Sequence, residues 1–162
     1  AQLIRRDQLS ALRSLGMIPS FFVAHVYHWG DIHLKNFGPD RASAISPAGT
    51  ALALGLPFTF HQDSPVIPPD MLETIWCACV RRTKTGRVLG AEERIPVEAA
   101  LRAVTQNAAL QYGLERELGT LRPGKRADFV LLSGDPLRTP PEELKKLQVE
   151  RTIRCGRTIW SR

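Results

Sequence analysis

The chain has 162 residues, of which 43% are hydrophobic and 23% charged, and a formal net charge of +6. That is chain enough for one ordinary core, and the balance excludes a disordered or fibrous class. No apolar run approaches the ~20 residues a membrane helix needs. The basic residues are dispersed, and their densest set (Arg81, Arg82, Lys84, Arg87) has neither interleaved aromatics nor a recognised module beside it, so it reads as a solvated face. Neither a nucleic-acid nor a membrane partner is expected.

In chain order, residues 7–15 read as a helix, with Asp7 as its cap, Leu9, Leu12 and Leu15 as its apolar stripe and Gly16 as its stop. Residues 17–24 read as a buried strand containing Phe21, Phe22 and Val23. The stretch 25–38, polar and aromatic with three histidines, reads as a long ordered loop of the kind that carries function. Pro39 and Asp40 open a short helical piece. Ser46 and Pro47 then supply a cap and a first-turn proline for a helix running to Leu54.

Residues 58–61 read as a second buried strand, stopped by Pro65, Pro68 and Pro69. Strand alternation places His61 and Asp63 on one side and Gln62 on the other. An acid and an imidazole at a strand's carboxyl end is where barrel enzymes keep their working groups; the bland reading is that Asp63 caps the next turn and His61 packs against it. A helix follows at 70–82, then a loop at 83–93 and a helix pair at 97–104 and 105–112.

From Leu118 onward the chain becomes turn-rich. Residues 129–133 read as a strand, 140–147 as a short helix, and 149–154 with 157–160 as a hairpin around Cys155-Gly156. Cys77, Cys79 and Cys155 form neither a CxxC pair nor a zinc knuckle. An odd count without a framework implies a reducing compartment. With no targeting segment visible at Ala1, the expected location is cytoplasmic.

The order of several motifs resembles one family. These are His25-Val26-Tyr27-His28-Trp29-Gly30-Asp31, Gly38-Pro39-Asp40-Arg41, Ser46-Pro47, His61-Gln62-Asp63-Ser64-Pro65-Val66, the helix at 99–105, the turn-rich run Gly119 to Asp128, and Gly156-Arg157-Thr158-Ile159. Together they are similar to the C-terminal part of a metal-dependent amidohydrolase, of the branch labelled amidohydrolase family 3. The resemblance implies an α/β fold: the last two strands of a (β/α)8 TIM-like barrel over residues 1–115, and part of a small β-sandwich over 116–162.

The resemblance further implies that Asp63 matches the family's aspartate at the end of the eighth strand. There it would touch a divalent metal, one or two zinc ions, and take a proton from the attacking water. It places His25, Tyr27, His28 and Trp29 beside a small-molecule substrate, with His61 next to them. His61 departs from the more widespread Gly-Ser-Asp form of its motif. A barrel takes ~250 residues, and no His-x-His pair occurs here. The chain is therefore expected to be a fragment, without metal bound and without activity alone, from a hydrolase of amide or formamide-like, non-peptide C–N bonds. A homo-oligomer is among the states this allows. Two alternatives remain open: a non-catalytic binding or regulatory module derived from such a barrel, and a self-contained metal site from His25, His28, Asp31 and His33.

Overall fold

A computed structural model describes all 162 residues. The first helix, α1 (Arg6–Ser14), starts one residue earlier than expected. Arg5 is its cap and is held by the Gln8 side chain, whose oxygen accepts from Arg5 N–H at 3.0 Å. Asp7 caps nothing; it pairs with the Arg5 guanidinium at 2.9 Å. Leu9 is the helix's one fully buried side chain, and Gly16 ends the turn at φ 65°.

The two strands of the N-terminal half are shorter than their apolar runs. β1 (Ser20–Phe21) and β2 (Thr59–Phe60) lie parallel, Ser20 opposite Thr59 and Phe21 opposite Phe60. Thr59 N–H donates to Pro19 and His61 N–H to Phe21, which extends the ladder by a residue at each end. Both residues of β2 are buried, as a strand covered on both faces requires. Phe58 packs on Phe21 at 5.7 Å between ring centres and on Phe60 at 5.5 Å.

The expected loop at 25–38 is instead helix α2 (His25–Ser43), kinked where Gly38 adopts φ 75° and Pro39 offers no N–H. His25, Trp29, His33 and Phe37 recur every four residues and so fall in one row on a helix. Their rings sit against one another, His25 on Trp29 at 4.6 Å and His33 stacked on Phe37 at 5.2 Å. That row, more than any apolar stripe, accounts for the helix.

After α2 the chain turns through Ser46 at φ 47° into α3 (Ala48–Ala53), whose cap is Pro47, not Ser46. Helix α4 (Met71–Val80) is the central element: Asp70 caps it by accepting from Glu73 N–H at 3.0 Å, and every residue from Thr74 to Val80 is buried. Cys77 and Cys79 lie within it, and burial pushes both thiols up, Cys79 to about 12. They are inert packing groups.

Arg81 closes α4 in the left-handed conformation, φ 52°. It is fully buried, which overturns its reading as part of a solvated basic face. The loop after it makes a tight return, with Arg82 bridged to Val88, and ends in a turn of 3-10 helix at Ala91–Glu93. Helices α5 (Val97–Val104) and α6 (Gln106–Gln111) follow, close to the expected bounds.

The remaining residues form an antiparallel sheet in the order β3 (Phe129–Leu132), β4 (Val149–Arg154), β5 (Arg157–Ser161), with the hairpin at Cys155-Gly156 as expected. The segment Pro141–Lys146 is 3-10 helix, not α. It drives Leu144, fully buried, into the main core and sets Lys145 over the rings of Tyr27 and Trp76 at 4.1 and 4.5 Å. The sheet itself is poorly covered: Ile159 is 62% and Trp160 48% exposed. A cavity of about 910 Å³ separates the sheet from α4 and α5.

Candidate active site at the strand ends

Parallel pairing puts the carboxyl ends of β1 and β2 on the same rim. Beyond β1 the chain enters α2 at His25; beyond β2 it runs through His61, Gln62 and Asp63. His61 is tied back to β1 by a 2.7 Å contact between its Nδ1 and Ser20 Oγ. Gln62 is buried, and its amide donates to Thr74 Oγ1 at 2.6 Å and to the Asp70 carbonyl at 3.0 Å. The two residues before Asp63 are thus moored to β1 and to α4.

Asp63 does not continue the strand alternation. Its φ of 52° turns it out of the strand, and its exposed side chain makes no hydrogen bond within the chain. It therefore does not cap the next turn through its carboxylate; the turn is closed by Val66 N–H donating to the Asp63 carbonyl at 2.9 Å. A non-glycine residue held at positive φ is uncommon and strained. Here the moorings of the two preceding residues and the turn closed by Val66 hold it.

His25 and His61 lie within the electrostatic reach of this carboxylate, while Tyr27 and His28 are engaged against α4. His25 packs edge-on against Phe22 at 4.4 Å and feels the fields of His61 and Asp63. Its Nδ1 lies 3.1 Å from His33 Nε2, which is also 3.2 Å from the Gln2 amide nitrogen. Trp29 flanks the His25 ring. Facing α4, His28 Nε2 meets Glu73 Oε1 at 2.7 Å, and Lys145 reaches Glu73 Oε2 at 3.2 Å. Tyr27 is packed edge-on against Trp76 at 5.2 Å. Tyr27, two positions after His25, falls on the opposite side of the helix; His28, three after it, borders the row and still touches Trp29 at 5.3 Å, but its Nε2 is engaged by Glu73 on α4.

Burial lowers the Glu73 carboxylate's own preference for charge, but hydrogen bonds from His28 and Lys145 more than offset this and hold it below the usual range. Neither Glu73 nor Lys145 stood out in the sequence; an acid three residues into a capped helix reads as a dipole partner, and its imidazole partner is 45 positions away.

The donors at hand do not by themselves fit a metal ion. No three His, Cys, Asp or Glu side chains lie close enough to share one. The self-contained site from His25, His28, Asp31 and His33 is corrected on the same ground: His28 is engaged by Glu73, and the Asp31 carboxylate accepts from Thr85 Oγ1 at 2.7 Å.

The histidine cluster has a pH signature. Burial, then the neighbouring His33 and His61, pushes His25 down to about 4, partly opposed by Asp63; burial lowers His33 and His61 as well. A folded value below the ordinary 6.5 means the unfolded chain binds more protons between the two values. Stability from this cluster is whole above pH 6.5 and is lost as pH falls toward 4. The thermal midpoint, followed by circular dichroism at constant ionic strength, is expected to drop between pH 7 and pH 5. His25→Gln should shrink that drop; an unchanged drop would locate the acid sensitivity elsewhere.

No helix is long and apolar enough to cross a membrane. The model of the "Amidohydrolase family" matches residues 1–160. An N-substituted formamide deformylase of Arthrobacter pascens is 31% identical over 131 residues, 80% of this chain and 24% of that protein. A 5-methylthioadenosine/S-adenosylhomocysteine deaminase of Moorella thermoacetica is 30% identical over 122 residues, 72% of this chain and 27% of the relative. The crystal structure of an uncharacterized metal-dependent hydrolase from Pyrococcus horikoshii OT3 superimposes with a TM-score of 0.73 at 25% identity, covering 87% of this chain and 29% of that one. The chain spans about a quarter of the length of the curated relatives it matches. With a family match running nearly end to end on a mixed α/β fold, the chain belongs to the amidohydrolase family.

Proposed function

We propose that the 162 residues are the C-terminal part of a metal-dependent hydrolase that breaks C–N bonds in amide- or formamide-like, non-peptide small molecules. Residues 1–115 supply the last two strands of a (β/α)8 barrel, and residues 116–162 part of a β-sandwich. The observation that carries this is the placement of Asp63. It sits past the carboxyl end of a buried parallel strand, unpaired, exposed, and braced by two tethered neighbours, His61 and Gln62.

A carboxylate presented in that way can accept the proton of an attacking water and return it to the leaving nitrogen. His25, Trp29 and His61 lie on the substrate side. Tyr27 and His28 hold α2 against α4 through Trp76 and Glu73. A divalent ion, zinc in this reading, would take Asp63 as one ligand, with its other ligands lying outside these residues. Deformylases and deaminases both cleave carbon–nitrogen bonds, which supports that reaction class over other hydrolyses.

The test is hydrolysis of an N-substituted formamide by the zinc-loaded full-length protein. Asp63→Asn keeps the shape and removes the proton acceptor. A loss of at least about 100-fold in kcat is expected, the lower end for a general acid–base residue. Wild-type turnover by that variant would sink the assignment.

A further inference from the structure

Gln62 is a polar side chain in a place that suits an apolar one. It is 4% exposed, and its amide nitrogen faces the start of α4. That nitrogen lies 2.6 Å from Thr74 Oγ1, 3.0 Å from the Asp70 carbonyl oxygen and 3.4 Å from Met71 Sδ. A backbone carbonyl only accepts, so Gln62 donates to it. The bonds to Thr74 and Asp70 use both amide hydrogens.

Helix α4 closes its first turn without these bonds. The Asp70 carbonyl also accepts from Thr74 N–H at 3.1 Å and from Thr74 Oγ1 at 3.0 Å. The Asp70 carboxylate caps the helix through Glu73 N–H at 3.0 Å. Taking the amide away therefore orphans no acceptor on α4. A buried amide is costly to desolvate, and its hydrogen bonds return only a modest net gain. Methionine would fill the same space without that cost. What the amide adds is direction. The β1–β2 ladder ends where His61 N–H donates to the Phe21 carbonyl. Gln62 is the last fixed point before Asp63 turns out of the strand at φ 52°.

We propose that Gln62 is a positioning residue for Asp63, holding that carboxylate in place through its amide bonds to Thr74 and Asp70. This rests on the hydrolase reading above and adds to it the pair that sets where the proton acceptor stands. An aspartate released from the tether relaxes toward negative φ, the conformation most side chains prefer. A displacement of only ~1 Å in a reacting group can cost about 100-fold in rate.

The test compares Gln62→Met, Thr74→Val and Thr74→Ser in the zinc-loaded full-length protein, with N-methylformamide as substrate. Gln62→Met should lower kcat by about 30-fold and leave KM within about threefold, the pattern of a misplaced reacting group. Its thermal midpoint should fall by no more than about 4 °C, as for one neutral hydrogen bond. Thr74→Val should lower kcat in the same direction, while Thr74→Ser, which retains the hydroxyl, should stay within about threefold of wild type. If Gln62→Met does not fold, the Thr74 pair decides: equal kcat in Thr74→Val and Thr74→Ser overturns the proposal. Wild-type kcat in Gln62→Met also overturns it, as does a loss shared equally between kcat and stability. When Asp63→Asn is inactive and Gln62→Met is not impaired, only the Gln62 inference fails. When Asp63→Asn is active, the hydrolase reading itself fails. A crystal structure of the full-length Gln62→Met protein needs no turnover. It should show Asp63 moved from its left-handed conformation or its carboxylate in more than one position. Asp63 unmoved overturns the proposal whether or not the formamide is hydrolysed.

Discussion

Arg81→Met is expected to lower the unfolding free energy by about 3–5 kcal/mol, the sum for several buried carbonyls left short of a donor at about 1–3 kcal/mol each. The guanidinium is fully buried and meets no carboxylate directly. Its partners are backbone carbonyls: Nε donates to Leu89 at 2.8 Å, Nη1 to Ser46 at 3.2 Å, and Nη2 to Ile45 at 2.9 Å and Ser43 at 3.5 Å. Burial pushes its pKa down to about 10, with the fields of Glu93 and Glu92 resisting. It is therefore still charged at neutral pH. Methionine fills the stem's volume but leaves the Leu89, Ile45 and Ser43 carbonyls without that donor, while Ser46 keeps Ala48 N–H at 2.8 Å; each buried unsatisfied group costs about 1–3 kcal/mol.

The surroundings cannot easily relax around the loss. Gly90 sits at φ 68°, and a Cβ there would come within 2.0 Å of the Ser43 carbonyl oxygen. The chain is closed tightly over the turn that Arg81 staples. A urea titration read by tryptophan fluorescence gives the loss directly. A change under 1 kcal/mol would mean that water reaches the carbonyls, and that the staple is dispensable.

How much of this was legible beforehand depended on the range of the interactions. The buried strands, the helix beginning near Asp70 and the hairpin at Cys155-Gly156 are local patterns, and the sequence carries them. Helix α2 is hidden from composition, which makes residues 25–38 look like a polar, aromatic loop. The spacing of His25, Trp29, His33 and Phe37 was the available signal, and it identifies a helix whose row is stacked rings in place of aliphatics. Arg81 was misread because its acceptors on Ser43, Ile45 and Ser46 lie 35 to 38 positions away. Nothing local distinguishes it from the exposed Arg82 beside it. The same holds at the rim: Asp63 was legible as a strand-end carboxylate, while its positive φ and the mooring of Gln62 to Thr74 arise from packing on α4.

Glu93→Ala should cost about 3 kcal/mol, near the lower end for a buried ion-pair partner. The carboxylate is fully buried. Oε2 accepts from Thr50 N–H at 2.8 Å, and Oε1 accepts from Thr50 Oγ1 at 2.6 Å and from Arg6 Nε at 2.9 Å. It thus satisfies an otherwise orphaned donor in the first turn of α3 and ties that helix to α1. Water cannot simply replace it, because the turn presses on Gly49, where a Cβ would lie 2.6 Å from the Glu92 carbonyl oxygen and 2.8 Å from Glu93 Cα. Arg6 contributes little of the total. Its side chain is 49% exposed and retains Glu92 as a second partner at 2.9 Å, and pairs so exposed are worth under about 1 kcal/mol. In a double-mutant cycle with Arg6→Ala, a coupling energy below about 1 kcal/mol is expected. A coupling above about 2 kcal/mol would assign the stability to the ion pair, and would make the Thr50 contacts a consequence of α1 docking instead of its cause.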